Sequence, residues 1–195
     1  MPTAADTRAK LLVAARQAFA DLGYDKARVE DVVTRAGVGH GTFYAYFPNK
    51  RAALAALVQD FAEAQLKLAS EPWRPGDVRA SLTEALTGIV RLYERDADLI
   101  KLWTTTAAND PELSELVDDV RRQLVARIAR NIERSQAQGM ARPVDPNAAA
   151  TILSAMFQQT MVLLIVRHEP LDQELTVATL IDLWYHALYF PQSAM

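Results

Sequence analysis

Apolar residues along this chain recur every three to four positions, and no stretch of apolar–polar alternation reads as a strand. The pattern predicts an all-α protein of about nine helices. The prolines, at Pro2, Pro48, Pro72, Pro75, Pro111, Pro143, Pro146, Pro170 and Pro191, all fall outside helical stretches and mark their boundaries. A first helix is predicted from about Thr7 to Leu22, with Leu11, Ala15, Phe19 and Leu22 on one face. Thr3 and Asp6 are placed for a capping box slightly earlier, and Gly23 follows as a C-cap glycine. A short helix is expected over about Val29 to Ala36, another over about His40 to Ala45, and a fourth after Asn49, a good N-cap. Leu54, Leu57, Val58, Phe61 and Leu68 give that fourth helix, about 50–69, one buried face. Beyond the turn-rich EPWRPG segment (Glu71 to Gly76), helices are predicted from Val78 past Tyr93, over Asp96 to Ala107, from Pro111 to Gly139, from Pro146 to about Val166 and from about Leu175 to Tyr189.

The last two predicted helices differ from the others. Residues 148–166 are apolar nearly all round, and 175–189 carry Leu180, Ile181, Leu183, Trp184, Leu188 and Tyr189. A helix without a polar face must be covered on all sides. Two readings remain open: a central core helix, or a homodimer in which 148–166 and 175–189 pack against their symmetry mates as a four-helix bundle. Thr151, Ser154, Gln158, Gln159 and Thr160 interrupt the apolar run and argue against a membrane span.

Composition narrows the function. The chain has 195 residues, 50% hydrophobic and 23% charged, as soluble domains do. It has no Cys, which removes thiolate metal sites and cysteine nucleophiles and fits a reducing cytoplasm. The N-terminus has no apolar run of signal-peptide length. His40, His168 and His186 lie on different elements, and none has a second ligand at metal spacing. GVGHGT lacks P-loop spacing, and no serine sits in a nucleophile elbow. Neither an enzyme nor a bound cofactor is expected. The net charge of −3 is unevenly spread: residues 1–50 carry seven Lys/Arg against five acids, leaving −5 for the rest. That balance permits a DNA-facing N-terminus on an acidic body.

The N-terminal pattern is more specific. A short helix, a turn at Gly37 and a second short helix make a helix-turn-helix, whose second helix enters the DNA major groove. Gly37 suits the left-handed backbone of the turn, and Val38 the apolar plug beneath it. Gly39 stands at the N-cap, where backbone N–H groups can hold a phosphate, and Gly41 lets the backbone approach DNA. Val29, Val32, Val33 and Ala36 are expected to pack inward with Phe43 and Phe47. Tyr44 and Tyr46 cannot share that face. Their phenols suit a thymine methyl or a phosphate oxygen, or else pack between helices.

Leu11, Ala14-Ala15, Phe19-Ala20, Gly23-Tyr24, Val29, Val32, Ala36-Gly37-Val38, Gly41-Thr42-Phe43-Tyr44, Tyr46-Phe47 and Lys50 together resemble the DNA-binding domain of the tetracycline-repressor (TetR) family. The resemblance covers residues 8–50; beyond them the chain fits only in helix number and length and in its bulky terminal pair. It implies a helix-turn-helix domain at 1–50, linked by the fourth helix to an effector-binding and dimerisation domain at 51–195. It also implies a homodimer on double-stranded operator DNA, usually a repressor, released by a small-molecule effector. Carried across by position, it implies DNA contacts from Gly39, His40, Gly41, Thr42, Tyr44, Tyr46 and Lys50, with His40 reading base edges and Lys50 binding phosphate. The chain departs from the family's frequent Ser or Thr at Ala27, Arg28 and Gly39. Arg28 is a candidate to replace a lost hydroxyl contact with a charge.

The effector pocket is expected between helices of the second domain. Its candidate lining is Trp103, Leu116, Phe157, Met161 and Trp184, with Thr106 and Ser154 as polar fixtures. Few ionisable residues fall on inner faces, so an uncharged or amphipathic, mostly apolar ligand is expected. An activator, an effector-independent repressor and a helical small-molecule carrier remain as alternatives.

Overall fold

A computed structural model describes residues 3–70, 73–74 and 77–189. Among these residues it contains nine α-helices and one π-helical turn, and the only β pairing is an isolated bridge between Ala141 and Tyr189. The helices are α1 (Ala4–Leu22), α2 (Val29–Ala36), α3 (His40–Tyr46), α4 (Lys50–Leu68), α5 (Val78–Arg95), α6 (Ala97–Ala107), α7 (Pro111–Ala137), α8 (Pro146–Met161) and α9 (Gln173–Leu188). The π-helical turn, Val162–Val166, continues α8. Four of the expected boundary prolines, with most of the EPWRPG segment, lie outside the described residues.

Short polar side chains start most of these helices by accepting an otherwise unpaired backbone N–H. The Thr3 hydroxyl accepts from Asp6, and the Asp6 carboxylate accepts from the Thr3 N–H in return, which begins α1 three residues earlier than apolar spacing predicts. Asn49 accepts from Ala52, Asp77 from Ala80, Asp110 from Leu113, Asp145 from Ala148 and Asp172 from Leu175. The Asp172 cap starts α9 two residues before Leu175. Gly23 (φ 78°) ends α1, and Gly37 (φ 63°, ψ 41°) ends α2 in the left-handed conformation expected of it. His168 (φ 53°) does the same after the π turn, where the Glu169 N–H reaches the Leu163 carbonyl.

The chain forms two compact units. The first runs to Ala62 and adds Asp96–Asp119, so it holds α1, α2, α3, most of α4, α6 and the start of α7. Its core is Leu11, Ala15, Phe19, Val32, Phe43, Leu54, Ile100 and Leu113. The second is Glu63–Arg95 with Val120 onward; Leu82, Leu86, Ile132, Met161, Trp184 and Leu188 are buried in it. This partition differs from a boundary after residue 50. The reason is long-range charge pairing that local sequence does not reveal. Arg16 of α1 holds Asp96 (2.6 Å) and Asp98 at the start of α6. Arg51 of α4 holds Asp110 (3.6 Å) and Glu112 (2.8 Å) at the start of α7.

In the second unit, α5 carries Gly88 against the end of α4. A Cβ there would stand 3.0 Å from a Leu68 methyl, so the glycine leaves room for a neighbouring side chain. By length and composition Pro146–Val166 is long and apolar enough to cross a membrane, and 39% of its most apolar window is buried within the chain. Its exposed part, with that of α9, includes Ile152, Leu175 and Leu183.

Candidate nucleic-acid interface and effector site

The recognition element is a helix pair whose two faces differ sharply. Val32, Val33 and Ala36 of α2 are buried, as are Phe43 and Phe47 at and after α3. Phe43 and Phe47 meet at 5.6 Å, and this aromatic contact anchors α3 from below. The opposite side of α3 is open. His40, Gly41 and Tyr44 are exposed, Thr42 and Tyr46 half-buried. Tyr44 is 55% exposed, with its ring edge-on to Phe43 at 5.6 Å. Tyr46 leans on Phe47 at 6.4 Å, so its ring serves packing as well as surface. Gly39 takes an ordinary extended backbone as the N-cap of α3, and a Cβ at Gly41 would touch nothing in the chain. Neither glycine is required by internal geometry.

Arg28 is exposed at the N-cap of α2. Its backbone N–H donates to Asp31 (2.8 Å), while its guanidinium has no acceptor with which to cap a helix. Lys10, Lys26 and Arg28 have no ion-pair partner among the described residues. Lys10 was not singled out from the sequence. It lies on α1, but its ammonium sits about 4.0 Å from where a Cβ on Gly37 would be, beside the turn into α3. Twenty-seven residues separate the two, and only the packing of α1 on α2 joins them.

Lys50, expected from position to bind phosphate, also has partners within the protein. Its ammonium donates to the carbonyls of Tyr24 (2.6 Å), Asp25 (3.1 Å) and Ala27 (3.0 Å), and stands 4.6 Å from the Tyr24 ring centroid. An ammonium has three N–H donors, and all three are used inside the protein. Lys50 therefore bolts the start of α4 to the α1–α2 turn. Burial raises the Tyr24 phenol above its usual pKa, with the Asp110 charge adding to it.

The seven expected effector contacts are divided between the two units. Trp103, Thr106 and Leu116 lie in the first unit. Trp103 packs edge-on against Phe61 at 4.8 Å. Thr106 donates to the Leu102 carbonyl and lines an open cleft of about 830 Å³ with Phe19, Tyr24 and Asp98. Leu116 lines a smaller groove of about 330 Å³ with Ala52, Ala55 and Gln59 of α4. The charge pairs that hold α6 and the start of α7 in the first unit carry these three residues with them.

Ser154, Phe157, Met161 and Trp184 all lie in the second unit, each buried, and Phe157 meets Trp184 directly. Phe157 links Tyr93 of α5 (6.3 Å) and Trp184 of α9 (6.4 Å) in edge-to-face contacts. Burial pushes the Tyr93 phenol up to about 12, partly offset by its hydrogen bond with Gln65. Tyr93, which periodicity assigns only to a buried face, joins this group, and with it Gln65, which periodicity does not single out.

Comparisons with known proteins divide the chain differently: the C-terminal family match takes in α6 and the start of α7, with Trp103, Thr106 and Leu116, which contacts within the chain group with the first unit. Residues 11–57 match the family described as bacterial regulatory proteins, tetR family, and residues 82–190 match the C-terminal domain of the transcriptional regulator EthR. The chain is 25% identical over 193 residues to the HTH-type transcriptional regulator EthR of Mycolicibacterium smegmatis, covering 96% of this chain and 88% of that protein. It is 25% identical over 181 residues to the HTH-type regulator YhgD of Bacillus subtilis, covering 92% and 94%. Among solved structures, Salmonella enterica GusR superposes with a TM-score of 0.78 at 22% identity, covering 93% of this chain and 94% of that one.

Proposed function

We propose, from the premise that this chain belongs to the TetR family of bacterial transcriptional regulators, that it represses transcription as a homodimer on a palindromic operator and is released by a small, mostly apolar effector. The observation that carries the DNA-binding half is the division of α3: Phe43 and Phe47 are buried while His40, Gly41 and Tyr44 are exposed on the other side. His40 is the base reader, since its ring nitrogens can meet guanine or adenine edges, and Tyr44 and Thr42 contact thymine methyls or phosphate. Lys10, Lys26 and Arg28 supply unpaired positive charge around the helix pair for phosphate. Tyr46 and Lys50 act by holding α3 and α4 in place.

The dimer reading rests on α8 and α9, which leave Ile152 (66% exposed), Leu175 (67%) and Leu183 (56%) open on a single chain. A second copy packing its own α8 and α9 there covers them. Recognition helices of such a dimer must meet half-sites about 34–36 Å apart, or a multiple of that. An effector that binds the second unit better in a state with another spacing weakens DNA binding by population shift.

A mobility-shift assay with DNA upstream of the protein's own gene tests the reading. Wild type is expected to give a discrete, salt-sensitive complex at a palindrome. His40→Ala is expected to retain non-specific affinity while changing base preference at one or two positions per half-site. A genome-wide binding map without any enriched site would overturn the regulator reading in favour of a helical carrier. Activation of the bound promoter would replace repression.

A further inference from the structure

We infer that the Trp184 indole N–H is a hydrogen-bond donor held for the effector, and that the effector is therefore an uncharged, mostly apolar molecule bearing a carbonyl- or ether-type oxygen. The inference rests on the effector-binding reading of the second unit and names its ligand chemistry. Trp184 is 3% exposed, and its Nε1 is the one buried side-chain polar atom without a partner among the described residues.

The surroundings make that orphan informative. Every other buried polar side chain recorded in the second unit is satisfied. Gln65 bonds with Tyr93, Ser81 donates to the Asp77 carbonyl, Asn131 donates to the Ala69 carbonyl, Ser135 meets the Tyr189 hydroxyl and Ser154 donates to the Thr151 carbonyl. A unit that pairs five of its buried polar residues leaves one donor open, next to Phe157 at the end of an aromatic run. A buried donor without a partner is costly, so native structures rarely keep one without a use. Phenylalanine would fill much of the same apolar space without that cost.

The chemistry of the site selects the ligand. An indole N–H can only donate, so the ligand must accept. Phe157, edge-on to the indole, and Leu188, one turn along α9, are buried and apolar and offer no cation to neutralise a carboxylate, whose desolvation would be prohibitive. A neutral oxygen can accept from this donor without the cost of desolvating a charge.

The test uses benzylacetone, its hydrocarbon isostere isopentylbenzene, and hydrocinnamate as the carboxylate. Each is titrated calorimetrically into full-length wild type and Trp184→Phe. The expected result is that the ketone-to-hydrocarbon affinity ratio falls about five- to a hundredfold in the variant, while hydrocarbon affinity is kept and hydrocinnamate binds weakest. In wild type, benzylacetone is also expected to move the Trp184 indole proton resonance downfield, and isopentylbenzene to leave it in place. This second readout stands even if the variant folds poorly. Equal ratios in both proteins, with the resonance unmoved, would overturn the donor role while leaving an apolar effector site intact. No binding of any probe at millimolar concentration would overturn the site itself. Neither outcome bears on the operator assay, which tests the regulator reading separately.

Discussion

At the scale of single residues, charge is used here mainly to fasten elements together. Lys50→Met keeps the aliphatic stem and removes three charge-assisted hydrogen bonds to the α1–α2 turn. Hydrogen bonds to a charged group contribute about 1.5–3 kcal/mol. Their loss as a set is expected to destabilise the protein by about 2–3 kcal/mol, read as a lower melting temperature without DNA. A lysine serving only phosphate would leave the melt unchanged. Arg16 offers a test by pH. Its hydrogen bonds hold the Asp98 carboxyl below its usual pKa, against a smaller opposing effect of burial. A carboxylate whose folded pKa is depressed contributes stability above its unfolded pKa, near 3.9, and loses it as pH falls toward the folded value. Asp98→Asn is therefore expected to melt lower than wild type at neutral pH, with the gap closing as pH drops below about 4. A gap constant down to pH ~2 would show that the pair contributes through something other than charge.

At the scale of elements, the clearest prediction concerns the packing of α5 on α4. Glycine inside a helix costs about 1 kcal/mol against alanine, so Gly88→Ala should stabilise α5. Its new methyl would meet Leu68 at 3.0 Å, and only the tip of that flexible side chain has to move. The two effects oppose each other, and chemical denaturation of Gly88→Ala is expected to lie within about 0.5 kcal/mol of wild type. Gly88→Val adds bulk that Leu68 cannot clear, and is expected to destabilise by about 1–3 kcal/mol. A neutral valine variant would mean that the α4–α5 contact is loose.

For the whole molecule, the exposed apolar face on α8 and α9 makes the dimer testable. Ile152→Glu with Leu183→Glu places two carboxylates from each chain in the proposed interface. Burying them unpaired is expected to weaken self-association more than about tenfold, seen by analytical ultracentrifugation as a shift to the 21.6 kDa monomer. Operator binding should fall with it, because one recognition helix cannot engage two half-sites. A dimer that survives both substitutions would place the interface elsewhere.

Sequence alone determined the helices, their order and most of their ends. These depend on neighbours three or four residues away: a cap such as Asp145, a left-handed glycine such as Gly37, an apolar stripe such as Leu124, Ile128 and Ile132. The division of α3 into buried phenylalanines and an exposed tyrosine follows from the same short-range geometry. Other facts depended on groups far apart in the chain, and periodicity carries no information about those. Arg16 meets Asp96 across eighty positions, and that pairing assigns α6, with Trp103 and Thr106, to the unit that carries the helix-turn-helix. Lys50 fits a phosphate ligand by position and becomes a bolt only because the Tyr24, Asp25 and Ala27 carbonyls fold back to it. Trp184 reads from sequence as one more core aromatic. Only the packed structure, by satisfying the other buried polar side chains of the second unit and leaving this N–H without a protein partner, distinguishes it.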